Sequence, residues 1–231
     1  MKFCSFIAGI SALCIACGAA LAAEDQKADS DTPPSGFKVD VMRGDQWSYE
    51  QRDGITDELK FIVSFTVTDV SDGEIDTRAK FRNVSSNAEN SFLQTFDRAW
   101  RSKDTGNNVY HPAQDDGGVP DALAVGKSWK FTYEQARTNP VSSFKWIGNG
   151  KVEGWEKVTL PSGQSFNAFK IRFHEQVMPV MNNRKFENDD VEWYAPEINR
   201  YVKIVYEQRQ NGKLSDSIIQ YLKEYQPHSR N

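Results

Sequence analysis

Apolar and polar residues alternate along much of the chain. Phe61, Val63, Phe65 and Val67 occupy every second position, with Ser64, Thr66 and Thr68 between them. Phe169, Ile171 and Phe173 repeat the pattern around Lys170 and Arg172; Val202, Ile204 and Tyr206, then Ile219 and Tyr221, do so again. A period of two places alternate side chains on opposite faces, so each run predicts a half-buried β-strand. Between the runs fall Asp53-Gly54, Asp72-Gly73, Asn149-Gly150, Ser162-Gly163 and Asn211-Gly212. Such pairs suit the positive φ angles of tight hairpin turns. The pair at 211–212 separates YVKIVYEQRQ from KLSDSIIQYLKEY and predicts a C-terminal hairpin. No long segment has helical spacing, and the nearest, DALAVG at 121–126, allows a turn or two. The expected class is mainly β and antiparallel.

A short repeat runs through this pattern. RGDQWSYE at 43–50 and VGKSWKFTYE at 125–134 share Gly, two residues, Trp, one residue and an aromatic: Gly44, Trp47 and Tyr49, then Gly126, Trp129 and Phe131. Each copy opens a set of alternating runs, so residues 37–231 read as a single β-rich domain with two similar halves, 37–110 and 121–228. Between them lies RSKDTGNNVYHPAQDDGGVPD, 101–121, a polar segment of a length that is usually functional or disordered.

The first residues change the setting. MKFCSFIAGISALCIACGAALAAEDQ has one lysine, an apolar run from Phe3 to Ala16, and small residues at Ala20 and Ala22. That is the layout of a secretory signal, here residues 1–22, and it predicts a periplasmic or secreted protein. An uncleaved anchor is the first alternative, for which the run is slightly short. A lipoprotein signal ending at Cys17 is the second, although Cys14 stands where such signals usually carry an aliphatic residue. Residues 23–36 are charged and proline-bearing and read as a flexible tether. Cys4, Cys14 and Cys17 all fall inside the signal, so the mature chain has no disulfide framework, thiol nucleophile or thiolate metal site. The formal net charge of −4 becomes one unit more negative once Lys2 leaves with the signal. That balance argues against nucleic acid as a partner.

Little else in the sequence points to catalysis. The histidines are His111, His174 and His228, and no nucleophile elbow, zinc-protease helix, phosphate loop or dinucleotide fingerprint occurs. No cofactor is expected. Glu187, Asn188, Asp189, Asp190 and Glu192 could supply paired carboxylates or calcium ligands; with no accompanying pattern they read better as a solvated loop entering a strand. DVSDGEID at 69–76 fits a hairpin turn for similar reasons. His174, Met178 and Met181 form the one soft-ligand grouping and could hold copper(I), but methionine is more often core filler. The six tryptophans fill cores or line pockets for apolar ligands. Trp47, Trp129 and Trp193 read as core; Trp100, Tyr110, Trp146 and Tyr194 are the ligand-binding candidates. In WYAPEINRYVK, Tyr194 points away from Trp193, and Pro196 ends the strand.

GKSWKF at 126–131, GWEKVTLPSGQSFNAFKI at 154–171 and WYAPEINRYVK at 193–203 resemble a group of secreted bacterial proteins of unknown function. In that group a Gly-Lys-x-Trp strand and two hairpin motifs recur. The second motif carries one extra residue here, Ser165. The resemblance implies curved antiparallel sheets or an open or half β-barrel, similar in outline to periplasmic lipoprotein carriers, and brings no catalytic residues with it.

Three functions follow as expectations. The first is a non-catalytic carrier whose concave interior accepts an apolar or amphiphilic ligand, such as a lipid or acyl chain. The second is an envelope scaffold or assembly protein that binds another protein through exposed strands or its tether. The third, a hydrolase, would need His174 or His111 beside a carboxylate, and no such pair is expected in a cleft.

Overall fold

The computed structural model describes residues 32–35, 39–114, 123–181 and 185–228. The signal at 1–22, Cys17 and most of the tether lie outside the described residues.

Among the described residues, twelve antiparallel strands follow one another in chain order and close into a barrel. The first half holds β1 (Gln46–Asp53), β2 (Leu59–Val70), β3 (Glu74–Asn83), β4 (Glu89–Asp97), β5 (Ser102–Asp104) and β6 (Asn108–His111). The second holds β7 (Ser128–Thr138), β8 (Val141–Thr159), β9 (Ser165–Pro179), β10 (Phe186–Ala195), β11 (Arg200–Gln210) and β12 (Lys213–Gln226). The expected mainly β class is met, and the barrel is closed where an open or half barrel was expected. Closure rests on β1, in which Trp47 pairs with Phe65 of β2 on one side and Tyr225 of β12 on the other. Joining first strand to last leaves neither as an unpaired edge.

The hairpins show why the chain turns where it does. Asn211 and Gly212 have φ of 53° and 74°, and Gln210 pairs with Lys213, the geometry a two-residue turn of matching twist requires. Ser71 donates to Glu74 across Asp72-Gly73. Ser165, the extra residue of the second motif, pairs with Thr159 as β9 begins.

Asn149-Gly150 departs from expectation, because it lies inside the long strand β8. Gly150 is there for space: a Cβ would meet the Trp129 ring at 2.3 Å, and one at Gly148 would meet the Phe131 ring at 2.5 Å. Inward-facing rings of β7 thus lie close over glycine backbone of β8.

The two Gly-x-x-Trp segments share their local bonding. Gly44 donates to Val67, which donates back to Asp45; Gly126 donates to Val152, which donates back to Lys127. Both glycines have positive φ, 99° and 88°. The polar segment 101–121 contributes β5 and β6, which pair with each other through Asp104 and Val109.

One other expectation needs correcting. The acidic run at 187–192 is no loop but the body of β10, with Asn188, Asp190 and Glu192 buried and Glu187 and Asp189 on the other face. Trp193 is buried in the core cluster, as expected, on the strand face it shares with Asp189 and Val191; Lys170 and Lys203 lie over its ring, and Glu156 accepts its indole N–H at 2.6 Å.

Candidate functional site

The last turn of the Trp-Tyr-Ala-Pro motif builds one end of the barrel interior. Pro196 opens a single 3-10 turn, Pro196–Ile198, which Asn199 ends in the left-handed conformation. Asparagine tolerates that conformation, and its short side chain bonds locally: the Asn199 amide accepts from Asp40 N–H and donates to Asp40 C=O. Three ring donors then fix the backbone. Trp47 Nε1 donates to the Ile198 carbonyl at 3.0 Å, Trp100 Nε1 to that of Asn199 at 2.8 Å, and Tyr49 Oη to that of Tyr201 at 3.0 Å.

This grip presents Arg200. Its guanidinium carbon lies 4.0 Å from the Trp100 ring centroid, 4.9 Å from Phe65, 5.3 Å from Phe96 and 5.7 Å from Trp47. Guanidinium is weakly hydrated and stacks on aromatic faces, and a half-buried contact of this kind is worth about 1 kcal/mol. Trp100 itself has a φ of 63°, an uncommon backbone for so bulky a residue. Asp97 holds that turn through its carboxylate, which accepts from Ala99 and Arg101 N–H.

Beside this cage is a cavity of about 250 Å³. Tyr49, Phe65, Phe96, Trp100, Tyr201 and Ile204 form its apolar walls, while Ser102, Gln114, Glu192, Arg200 and Gln220 supply polar groups. These residues come from β1, β2, β4, β5, β10, β11 and β12 and the segments beside them, so the space lies within the barrel. Tyr201 is hydrogen-bonded to Glu192. Burial pushes the Tyr49 phenol up to about 12, against the pull of the Arg200 charge. Burial also raises Tyr201 and Tyr194 well above the ordinary phenol range.

Solved structures share this architecture. An inferred lipoprotein from Parabacteroides distasonis superposes with a TM-score of 0.55 at 14% identity, covering 84% of this chain and 100% of that one. An inferred exported protein with a YmcC-like fold, from Bacteroides fragilis, gives 0.56 at 16% identity, covering 83% and 99%. The likeness is one of fold. No family model matches the chain, and no curated protein does.

Of the four aromatic candidates, Trp100 lines the cavity. Tyr194 is fully buried and packs edge-on against Tyr201 at 5.4 Å, one layer behind the wall. Tyr110 and Trp146 lie elsewhere, both against Tyr133, with the Trp146 indole donating to Gln135 at 2.9 Å. Arg200 was not among the sequence candidates, and Glu192 was set aside with the acidic run as a solvated loop, because charged residues usually mark a surface. The available signal was parity, since Arg200 stands in step with Val202, Ile204 and Tyr206.

A second concavity, of about 590 Å³, lies on the outer wall over β7 to β10. Lys130, Asn149, His174 and Asp189 pair in one row across these strands. His174 Nδ1 contacts Asp189 Oδ1, so the expectation that no histidine–carboxylate pair lies in a cleft is overturned. Register explains it: both side chains are outward on directly paired residues. Asp189 also meets Arg209 at 3.1 Å, which meets Glu207 at 2.5 Å. Among the described residues its lining carries the Lys130 amine and the carboxylates of Glu175, Glu187 and Asp189, and no hydroxyl or thiol.

The soft-ligand grouping does not converge. Four residues of strand separate His174 from Met178 by about 13 Å at the usual rise, and Met181 projects from the following turn, 86% exposed.

Proposed function

We propose that this chain is an exported envelope protein that binds a small amphiphilic ligand inside its barrel without acting on it chemically. The observation that carries the reading is the interior cavity, with walls of Tyr49, Phe65, Phe96, Trp100 and Ile204 and polar groups from Glu192, Arg200 and Gln220. Apolar walls with a few convergent polar groups are what small-molecule sites use for affinity and orientation. Since one water occupies about 30 Å³ of liquid, about 250 Å³ suits a short acyl chain or a molecule of similar bulk, not a whole phospholipid. Export is supported by the signal-like first residues and by structural neighbours described as an inferred lipoprotein and an inferred exported protein.

With partners on both sides, β1 is not open to strand addition by a scaffold's client. The hydrolase reading keeps only the outward His174–Asp189 pair.

Native mass spectrometry of protein purified from its own envelope, with organic extraction of what stays bound, tests the proposal. A near-stoichiometric small amphiphile is the expected result. Protein of plain polypeptide mass, unable to take up added amphiphiles, would refute it.

A further inference from the structure

Among the described residues, Arg200 is the one cationic side chain lining the interior cavity. Among the described residues it makes no ion pair; its contacts are four aromatic rings and the neighbouring Tyr49 hydroxyl. Aromatic faces stabilise the charge but accept none of its five N–H donors in the fork geometry that matches a carboxylate. The guanidinium is half-buried, so it is already partly stripped of water, and an incoming anion offsets the cost of that partial desolvation. The other charge on the lining, Glu192, is hydrogen-bonded to Tyr201. It disfavours a dianion such as a phosphate monoester, which would meet like charge in a confined space, more than a monoanion.

We infer that the ligand of this cavity is a small monocarboxylic acid, its carboxylate taken by Arg200 and its apolar body packed among Phe65, Phe96, Trp100 and Ile204. This rests on the reading of the cavity as a binding site and adds the chemical class. The ring donors from Trp47, Trp100 and Tyr49 to the 198–201 backbone hold the guanidinium in place before binding. Little ordering then remains to be done by the ligand.

The test is calorimetric titration of the full mature protein, stripped of bound small molecules, with hexanoate and separately with 1-hexanol. Wild type should bind hexanoate at least about ten-fold more tightly, the scale of one charge-assisted bidentate contact. Arg200→Gln should remove most of that preference. Equal binding of acid and alcohol by wild type, or a preference that survives in Arg200→Gln, would overturn the inference and leave the cavity as a site for neutral ligands. Failure of both probes to bind would remove the cavity reading and this inference together. The wild-type comparison decides even if Arg200→Gln does not fold.

Discussion

The Arg200 guanidinium lies 4.0 Å from the centre of the Trp100 ring, and the Trp100 indole donates a hydrogen bond to Asn199, the residue just before Arg200. One side chain therefore places the charge and faces it. Trp100 comes from the turn after β4, whereas Arg200 begins β11, so the pair also ties the two halves of the barrel at this end. Replacing Trp100 by Ala removes a buried indole, a buried hydrogen bond and one wall of the cage. The expected cost is about 3–5 kcal/mol, measured as a shift in the urea midpoint with unchanged slope.

Gly150 and Gly154 make a matched pair on β8. A Cβ at Gly150 collides with the Trp129 ring, while one at Gly154 meets nothing within 4 Å. Gly150→Ala should destabilise by about 1–3 kcal/mol through overpacking. Gly154→Ala should stay within about 0.5 kcal/mol of wild type or gain slightly from the stiffer unfolded chain. Parallel thermal melts of the two variants check this.

High pH should unfold the barrel in a defined window. Burial raises the Tyr49 phenol from the ordinary 10.0 to about 12, and Tyr194, Tyr201 and Tyr206 also shift upward. A phenol held neutral by burial ionises sooner in the unfolded chain. This contribution to stability is complete below about pH 10 and is lost as pH climbs towards 12 for Tyr49. Tyrosinate absorbance should show one group of phenols titrating near the ordinary value and a second appearing together with loss of the far-ultraviolet β signal.

The outer pair should matter little. His174 is 54% exposed on its side chain, and exposed ion pairs contribute about 0–1 kcal/mol. His174→Ala should change stability by no more than that. It should also leave ligand occupancy of the interior unaltered, as measured by native mass.

The strands were legible because alternation such as Phe61 to Val67 records a face directly, and Asn211-Gly212 records a turn. Closure was not, because no local pattern says that Trp47 pairs with Tyr225. The signal failed where polar residues face inward: Asn188, Asp190 and Glu192 make β10 look like a loop although they are buried inside the barrel. It failed again at Asn149-Gly150, where glycine serves the Trp129 ring and not a turn. Trp100, one of the aromatic candidates, lines the cavity. Arg200 was not legible, since its place among rings depends on Trp47, Phe65 and Phe96, which the sequence sets far from it.

The central claim is that the ligand lies inside the barrel and not in the outer groove. Two variants separate these places: Ile204→Phe, which fills the cavity, and Ile147→Glu, which alters the groove. Both should be expressed in the native envelope and weighed intact beside wild type. The account predicts that Ile204→Phe emerges empty while Ile147→Glu retains its ligand. A ligand that stays on Ile204→Phe and leaves Ile147→Glu would contradict it.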